Sequence, residues 1–396
     1  MSKLWNRINS ELDNRHETKT YNNIKVLEGA QGAYIQINNK EFLNMCSNNY
    51  LGYANDPEVV ANAKAFLDEY GTGSGAVRSI AGTQQCHIDF EQALAKFKGV
   101  EDVILVQSGF QANTTLTPTI MSADDAIISD ELNHASIIDG VRLTKSKKYV
   151  YKHCDMDDLK IQIEKAKAEV SGVVLIITDG VFSMDGDIAP LDKIVALKEQ
   201  YEDVYLAIDD AHGEGVFGSH GRGLVNHFGV EGKVEFEIGT LSKAFGIAGG
   251  FIGGKKELID YLKQKSRPFL FSTGLDSAMC GAGIKVVEKM SASDDRVKKL
   301  WDNAKYLQEQ LKAKGFDTWK TTSPITPVII GEESLATDMT KALFEENILV
   351  SPIMYPTVAK GLARIRLMPS ATHSKEDLDK AVATIEKCAK ELGVLK

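Results

Sequence analysis

The chain is poor in cysteine and in long apolar runs, and each scarcity excludes a class of protein. The most apolar stretch, residues 172–177, is far shorter than the roughly 20 residues that cross a bilayer, and the N-terminus has no apolar segment typical of a secretory signal. The five cysteines are scattered without any Cys-x-x-Cys spacing: Cys46, Cys86, Cys154, Cys280 and Cys388. Such a set offers no zinc framework and suits reduced thiols. We therefore expect a cytoplasmic protein that does not span a membrane.

Runs of basic residues and an excess of proline are missing too. Lys and Arg number 46 against 55 Asp and Glu, a net charge of -9, which argues against nucleic acid or an anionic membrane as partner. With 43% hydrophobic and 26% charged residues and 9 prolines, the composition is typical of a globular protein rather than a disordered one. At about 100–200 residues per domain, the length predicts two domains, or one with an appendage. A small molecule is therefore the expected ligand.

Short β-branched runs alternate with longer amphipathic segments up to about residue 280. This pattern predicts an α/β domain with a buried, mainly parallel sheet. Helices are predicted at residues 157–170 and 190–201. Strands are predicted at residues 103–107, 126–129, 173–178, 204–208, 234–239 and 250–253.

The C-terminal part has longer amphipathic helices and predicts a second, smaller α/β domain. One helix begins after Ser293, and Ser374 with Asp377 forms a capping box for the last one. Strands are predicted at residues 326–330, 348–351 and 363–367. We divide the chain into an N-terminal helix and strands over 1–50, a large domain over 51–285 and a small domain over 286–396. The N-terminal segment is expected to pack at the domain junction or on a partner subunit.

Polar residues follow five predicted strands, at the edge where parallel sheets form ligand crevices. Taken singly, each has an ordinary explanation as a turn former, a helix cap or a solvated residue. Together they predict a site. The residues are Ser108 and Gly109, His134, Ser183, Asp209 and His212, and Lys243.

Three of these positions suggest a specific chemistry. Lys243 follows a hydrophobic strand among small residues, where desolvation would lower its pKa and free a nucleophilic amine. Asp209 ends a hydrophobic strand, so its carboxylate would need a cationic partner such as a protonated pyridine nitrogen. The turn at Ser108 and Gly109 begins a helix directly after a strand and could bind a phosphate.

Other motifs are weaker. Residues 249–255 fit the first part of a phosphate-binding loop, but Lys256 stands where Ser or Thr must hold magnesium. The glycine-rich residues 71–75 are not placed as a dinucleotide fingerprint requires. A metal-dependent hydrolase using Asp209, His212 and His134 stays open as an alternative of a different class. That alternative leaves Lys243 without a role.

Five segments closely resemble the α-oxoamine synthases, which are fold-type I, pyridoxal-phosphate-dependent enzymes that condense an amino acid with an acyl-CoA. The resemblance extends over nearly the whole chain and implies a homodimer with shared active sites. No metal is implied. The segments are residues 48–52 (NNYLG), 130–142 (DELNHASIIDGVR), 178–186 (TDGVFSMDG), 209–213 (DDAHG) and 239–244 (GTLSKA).

The resemblance implies a role for each site residue. Lys243 would bind the cofactor covalently and later act as the base, Asp209 would pair with the pyridine nitrogen, and His134 would stack on the ring. His212 and Ser183 would contact the ring hydroxyl. The phosphate would be bound by Ser108, Gly109, Phe110 and Thr240, with Ser272 and Thr273 from the partner subunit.

The amino acid carboxylate would be held by Asn48 and Arg366, a task that suits the guanidinium fork. Arg364 is the competing candidate, and the family pattern favours the second arginine of the pair. Within the family the chain resembles most the glycine C-acetyltransferase branch, which implies condensation of glycine with acetyl-CoA. The alternative is the branch that condenses alanine with a pimeloyl thioester in the biotin pathway. A non-catalytic subunit is disfavoured, because such subunits lack the lysine found here at Lys243.

Overall fold

The computed structural model describes residues 2–18, 20–21 and 23–395. Residues 1, 19, 22 and 396, which fall in the predicted units 1–50 and 286–396, lie outside the described residues. The strands are β1 (Tyr34–Ile37), β2 (Lys40–Asn44), β3 (Asp102–Val106), β4 (Ala126–Asp130), β5 (Lys147–Tyr151), β6 (Val174–Asp179), β7 (Val204–Asp209), β8 (Phe236–Thr240), β9 (Gly250–Gly254), β10 (Thr326–Gly331), β11 (Ile348–Leu349), β12 (Ser351–Ile353) and β13 (Ala363–Leu367).

Helices connect most of these strands. They are α1 (Lys3–Glu17), α2 (Pro57–Tyr70), α3 (Gln85–Lys98), α4 (Gly109–Ile120), α5 (Ala135–Arg142), α6 (Met156–Glu169), α7 (Leu191–Lys198), α8 (Leu224–His227), α9 (Lys256–Lys265), α10 (Arg267–Leu270), α11 (Ser277–Ala292), α12 (Asp295–Ala313), α13 (Glu333–Glu345) and α14 (Lys375–Glu391). Short 3-10 turns lie at Tyr53–Asn55 and Ser219–Gly221.

A seven-stranded sheet in the order β3-β9-β8-β7-β6-β4-β5 forms the centre of the large domain. The four pairs from β5 to β8 are parallel, and only β9 runs antiparallel, to both β3 and β8. Alternate side chains of each strand point to opposite faces, so Ile176 packs in one apolar cluster and Ile177 in the other. Burial on both faces explains the continuous apolar runs, and the predicted α/β class with a mainly parallel sheet is confirmed.

All six predicted strands of this sheet are present within one or two residues at each end. The prediction missed β5, whose sequence KKYVY is polar because β5 is an edge strand with an exposed face. Helix α7 is shorter than the predicted residues 190–201, because Pro190 lies at its N-cap and the helix ends at Lys198.

The C-terminal domain contains two small sheets around a separate apolar cluster. The strand predicted at residues 348–351 is wrong as a single element, because the chain changes sheet within it. Strand β11 pairs with β2 of the N-terminal segment, whereas β12 pairs with β13. The N-terminal strands therefore share a sheet with the C-terminal domain. The predicted capping box of Ser374 and Asp377 is confirmed at the start of α14.

Helix α1 has an apolar face that the described chain leaves uncovered. None of its residues is buried, and Leu4, Trp5, Ile8 and Leu12 are all exposed. Among the described residues, no helix is long and apolar enough to cross a membrane.

Candidate active site

Most of the predicted site residues follow strands that end at the carboxyl edge of the large sheet. Asp209 ends β7 directly beside Asp179, which ends β6, and the two are paired in register. His134 precedes α5 after β4, and Lys243 follows β8 by three residues. Parallel strands present their carboxyl ends to one crevice, so topology brings distant parts of the chain together.

Lys243 is a half-buried amine with a depressed pKa. Desolvation lowers its pKa to about 8, helped by the charge of Arg366 and opposed by the carboxylates of Asp209 and Asp179. A lysine in this state carries a substantial neutral fraction near physiological pH. An amine in this state can act as a nucleophile or as a base.

Asp209 is buried and held by two donors. Its Oδ2 accepts a hydrogen bond of 2.6 Å from Asn113 Nδ2, and its Oδ1 accepts one of 3.1 Å from the Ala211 N–H. Asn113 also donates to Ser136 Oγ at 3.0 Å. These bonds fix the carboxylate for a cationic partner in the crevice.

His134 is tied into the same network. Its Nδ1 lies 2.7 Å from Ser136 Oγ and accepts from the Ser136 N–H at 3.2 Å. The proton of the neutral ring is therefore on Nε2. Desolvation and the Lys243 charge lower the pKa of His134 against the opposing charge of Asp209.

His212 is buried against Tyr50. Its Nδ1 lies 2.8 Å from the Tyr50 hydroxyl, and Tyr50 is itself 1% exposed. Desolvation, with the nearby charges of Lys243 and Arg366, lowers the pKa of His212 well below its usual value. A neutral imidazole is thus available to hydrogen-bond a ligand.

The predicted phosphate turn has the geometry of an anion site. Ser108 caps α4 by accepting a hydrogen bond from the Gln111 N–H at 3.1 Å. A Cβ on Gly109 would lie 2.8 Å from Thr240 Cβ, so only glycine allows α4 to approach β8 this closely. Phe110 follows in the first turn, where N–H groups have no partner within a helix. The turn therefore offers backbone donors and the positive end of the helix dipole.

The arginine pair separates into a structural and a ligand-facing member. Arg364 is 1% exposed and donates to Asp185, to the Met184 carbonyl at 3.0 Å and to the Leu362 carbonyl at 3.0 Å. Arg366 donates only to the Ser183 carbonyl, at 3.2 Å, and its buried Nε has no partner among the described residues. Asn48 Oδ1 is likewise buried and unpaired there. Unpaired buried polar atoms at a crevice are what a polar ligand satisfies.

Among the described residues, no hydrogen bond joins Ser272 or Thr273 to the other predicted site residues. Ser272 and Thr273 follow α10, and Thr273 forms an isolated antiparallel bridge with Val77. The side chain of Phe271 beside them is 76% exposed, and that of Ile80 is 82% exposed. This segment lies on an open apolar surface.

Sequence reasoning missed three residues of the site: Asn113, Tyr50 and Asp179. Tyr50 lies inside one of the quoted segments and Asn113 lies outside all of them, and their partners His212 and Asp209 are remote in the chain. Asp179 ends a predicted strand just as Asp209 does, and that parallel position was the available signal.

The metal-hydrolase alternative has no support in this geometry. Asp210, beside Asp209, points to a buried cluster, where Lys98 also pairs with Glu214 at 2.8 Å. In the part of the chain that is described, the groups with metal-ligand composition are Cys86, His87 and Cys280, and Asp130, His153 and Cys154. Neither includes Asp209, His212 or His134.

Comparison with known proteins identifies the family. The model of the aminotransferase class I and II family matches residues 40–385. An 8-amino-7-oxononanoate synthase of Thermosipho melanesiensis is 55% identical over 385 residues, covering 97% of this chain and 98% of that protein. Proteins of the same name from Fervidobacterium nodosum and Petrotoga mobilis are each 54% identical, over 98% and 99% of this chain and 98% and 100% of theirs.

Solved structures agree with this family. Serine palmitoyltransferase from S. paucimobilis with bound PLP and myriocin has a TM-score of 0.94 and 27% identity, with 100% of both chains covered. The serine palmitoyltransferase of Sphingomonas wittichii has a TM-score of 0.95 at 30% identity over the full length of both. An 8-amino-7-oxononanoate synthase from Francisella tularensis has a TM-score of 0.76 at 28% identity, covering 88% of this chain and 98% of that one.

These similarities to known proteins bear on the expected cofactor and on the expected branch of the family. Pyridoxal phosphate is the cofactor, and the residues present fit it: an amine of lowered pKa, a buried carboxylate and an anion-binding turn meet at one edge. The expected glycine C-acetyltransferase branch is not supported, because the close relatives are named 8-amino-7-oxononanoate synthase. The chain belongs to the aminotransferase class I and II family and, within it, to the pyridoxal-phosphate-dependent α-oxoamine synthases.

Proposed function

We propose that the chain condenses alanine with a pimeloyl thioester to form 8-amino-7-oxononanoate. The observation that carries the substrate choice is the identity of 54–55% over essentially the full length with proteins of that name. Carbon counting fixes the overall reaction. Seven acyl carbons and three from alanine make ten, and the nonanoate product has nine, so one carbon leaves as carbon dioxide and the thiol is released.

The cofactor would be held by residues from five strand ends. The helix start at Ser108, Gly109 and Phe110, together with Thr240, would bind its phosphate through backbone N–H groups and hydroxyls. Asp209 would accept a hydrogen bond from the protonated ring nitrogen, and His134 would lie against the ring. The neutral His212 would hydrogen-bond the ring hydroxyl together with Ser183.

When bound, pyridoxal phosphate supplies a ring that withdraws electrons from the α-carbon of the amino acid. The Asp209 carboxylate keeps the positive charge on the ring nitrogen, which makes that withdrawal effective. Lys243 Nζ takes the α-proton, a task that suits a pKa lowered to about 8. The α-carbon then bonds to the thioester carbonyl carbon, and the thiolate leaves.

The carboxylate of the amino acid would be bound by Arg366 with help from Asn48. The Nε of Arg366 is buried and unpaired in the described chain, so a carboxylate can take a two-point contact from the guanidinium. Arg364 is not proposed for this task, because its Nε and Nη1 already donate to Asp185 and two carbonyls.

The test is a panel of thiol-release assays on the cofactor-loaded enzyme. Alanine, glycine and serine are each paired with pimeloyl-, acetyl- and palmitoyl-CoA, and kcat/KM is measured for each pair. We expect the highest value for alanine with pimeloyl-CoA. Fastest turnover of glycine with acetyl-CoA would instead support the glycine C-acetyltransferase branch. Thiol release with no pair would refute the proposal. The matched control is Lys243→Ala, which should abolish release with every pair.

We also propose that the chain works as a homodimer in which Ser272 and Thr273 of one copy complete the phosphate site of the other. The exposed side chains of Phe271 and Ile80 and the uncovered face of α1 support this, since monomers rarely leave such apolar surface open. Sedimentation should give a dimer. Mixing Lys243→Ala with a Ser272→Ala/Thr273→Ala double variant under subunit exchange should restore part of the activity, because one site of the mixed dimer is then intact. A fully active monomer would exclude the arrangement.

A further inference from the structure

Asn133 and Asp179 form a reciprocal clasp between two parts of the site. The side-chain amide of Asn133 bonds to the backbone at the end of β6 as the peptide groups of a neighbouring strand would. Its Nδ2 donates to the Ile177 carbonyl at 2.9 Å, and its Oδ1 accepts from the Asp179 N–H at 2.7 Å. In return, Asp179 Oδ2 accepts from the His134 N–H at 2.6 Å. Both side chains are buried. The turn before α5 is thus fastened to β6 from both directions.

The clasp determines where His134 lies relative to Asp209. The ring of His134 bonds to Ser136 in the first turn of α5, so its orientation is fixed relative to that helix. The clasp joins the start of α5 to β6, and β6 pairs in register with β7, which carries Asp209. The distance between the ring and the carboxylate therefore depends on the contacts of Asn133 and Asp179.

Asp179 contributes to the clasp as a hydrogen-bond acceptor. Burial, together with the charge of Asp209 beside it, raises the pKa of Asp179 well above its usual value, against the His134 N–H bond and the Lys243 charge. A carboxyl group accepts a hydrogen bond from a backbone N–H in either protonation state. Asparagine has the same acceptor in the same place, whereas alanine has none.

We infer that Asp179 and Asn133 are positioning residues that hold His134 in place against the cofactor. This inference rests on the role proposed above for His134. No contact of Asp179 with the cofactor or the substrate is required.

The test compares Asp179→Asn with Asp179→Ala. In Asp179→Ala, we expect the Kd of the apoenzyme for pyridoxal phosphate to rise about tenfold, because one strong hydrogen bond is lost. The visible circular dichroism of the bound cofactor should also weaken. In Asp179→Asn, both should stay within about threefold of the wild-type values, because the acceptor remains. If Asp179→Ala does not fold, Asn133→Asp takes its place in the test. This variant keeps the acceptor of residue 133 but loses its donors, and it should show the same weaker cofactor binding and circular dichroism.

Asp125 provides a matched control at the opposite end of the same strands. Its side chain is also buried and accepts from the Ser122 N–H at 2.6 Å and the Val173 N–H at 2.9 Å, which clasps the starts of β4 and β6. Asp125→Ala should lower the midpoint of thermal unfolding and leave the cofactor Kd and circular dichroism unchanged.

Three results would overturn the inference: wild-type cofactor binding in Asp179→Ala, equal damage in Asp179→Asn and Asp179→Ala, or an equal cofactor effect in Asp125→Ala. Failure of the proposed reaction is distinguishable from these. A wild-type enzyme that binds the cofactor but condenses no pair of the panel would refute the substrate assignment, while the binding comparison would still decide the clasp.

Discussion

The two arginines of β13 should respond in opposite ways to the same truncation. Arg364→Ala removes three contacts from a side chain that is 1% exposed and leaves the Asp185 carboxylate and two carbonyls without their donor. Breaking a buried ion pair from one side costs about 3–5 kcal/mol. Because the Asp185 side chain is 19% exposed, water can recover part of this cost, and we expect about 3 kcal/mol.

Arg366→Ala should cost little stability and much substrate affinity. It loses one hydrogen bond of 3.2 Å, to the Ser183 carbonyl, and removes a buried Nε that has no partner in the described chain. A hydrogen bond to a charged group contributes about 1.5–3 kcal/mol, so the loss of the carboxylate contact should raise the KM for alanine about 10- to 150-fold. Arg366→Lys keeps the charge but not the fork and should fall between wild type and Arg366→Ala.

The assays are the KM for alanine from thiol release and the midpoint of thermal unfolding. We expect a lowered midpoint with a nearly unchanged KM for Arg364→Ala, and the reverse for Arg366→Ala. The reasoning would be refuted by an unchanged KM in Arg366→Ala. It would also be refuted if Arg364→Ala raised KM as much without any loss of stability.

Three further predictions concern the amine, the phosphate turn and the buried charge cluster. The pKa of Lys243, about 8, lies below the ordinary lysine value of 10.5, so apoprotein stability should rise as pH increases from about 8 to 10.5, and cofactor capture should accelerate as pH rises through 8. A flat pH dependence of both, measured by chemical unfolding and stopped-flow absorbance, would contradict this. Gly109→Ala places a Cβ 2.8 Å from Thr240 Cβ and should weaken cofactor binding at a cost of about 1–3 kcal/mol. Gly73→Ala, whose Cβ would have no heavy atom within 4 Å, should leave cofactor binding unchanged. Equal cofactor affinities of the two variants by titration would be inconsistent with the packing argument. Lys98→Met removes the ammonium group from three buried carboxylates and should destabilise the fold by about 3–5 kcal/mol. The loss should be larger at pH 8 than at pH 6, because burial raises the pKa of Asp210 and Glu214 and these groups can take up protons at the lower pH. Unfolding midpoints that do not depend on pH would argue against a charge effect.

Local hydrophobic patterns in the sequence were sufficient to predict six of the seven strands of the large sheet. Its buried strands are continuous apolar runs that end in polar residues, and such runs depend little on distant partners. The edge strand β5 escaped this pattern because two lysines and an exposed face interrupt its apolar residues. The exchange between sheets at Val350 could not be predicted, because it is set by pairing with β2 and β13, which are remote in sequence.

For the site, the sequence indicated which residues carry charge or chemistry, but not which are already satisfied. Arg364 and Arg366 are two residues apart and so point to the same face of β13. Only the contacts of Arg364 with residues 184 and 185 show that it is occupied. The position of Asp179 at a strand end was a signal, but its partner is the backbone N–H of His134, which residue identity does not reveal. The substrate branch was misjudged because the motifs bind the shared cofactor rather than the acyl chain.

The most direct test of the central claim follows the carboxyl carbon of alanine. The cofactor-loaded enzyme is incubated with pimeloyl-CoA and alanine labelled with carbon-13 at the carboxyl group, and the product and released gas are analysed by mass spectrometry. We expect unlabelled 8-amino-7-oxononanoate and labelled carbon dioxide in amounts equal to the free thiol, and neither with Lys243→Ala. Thiol release with the label retained in the product, or no product from this pair while glycine and acetyl-CoA react, would contradict this expectation.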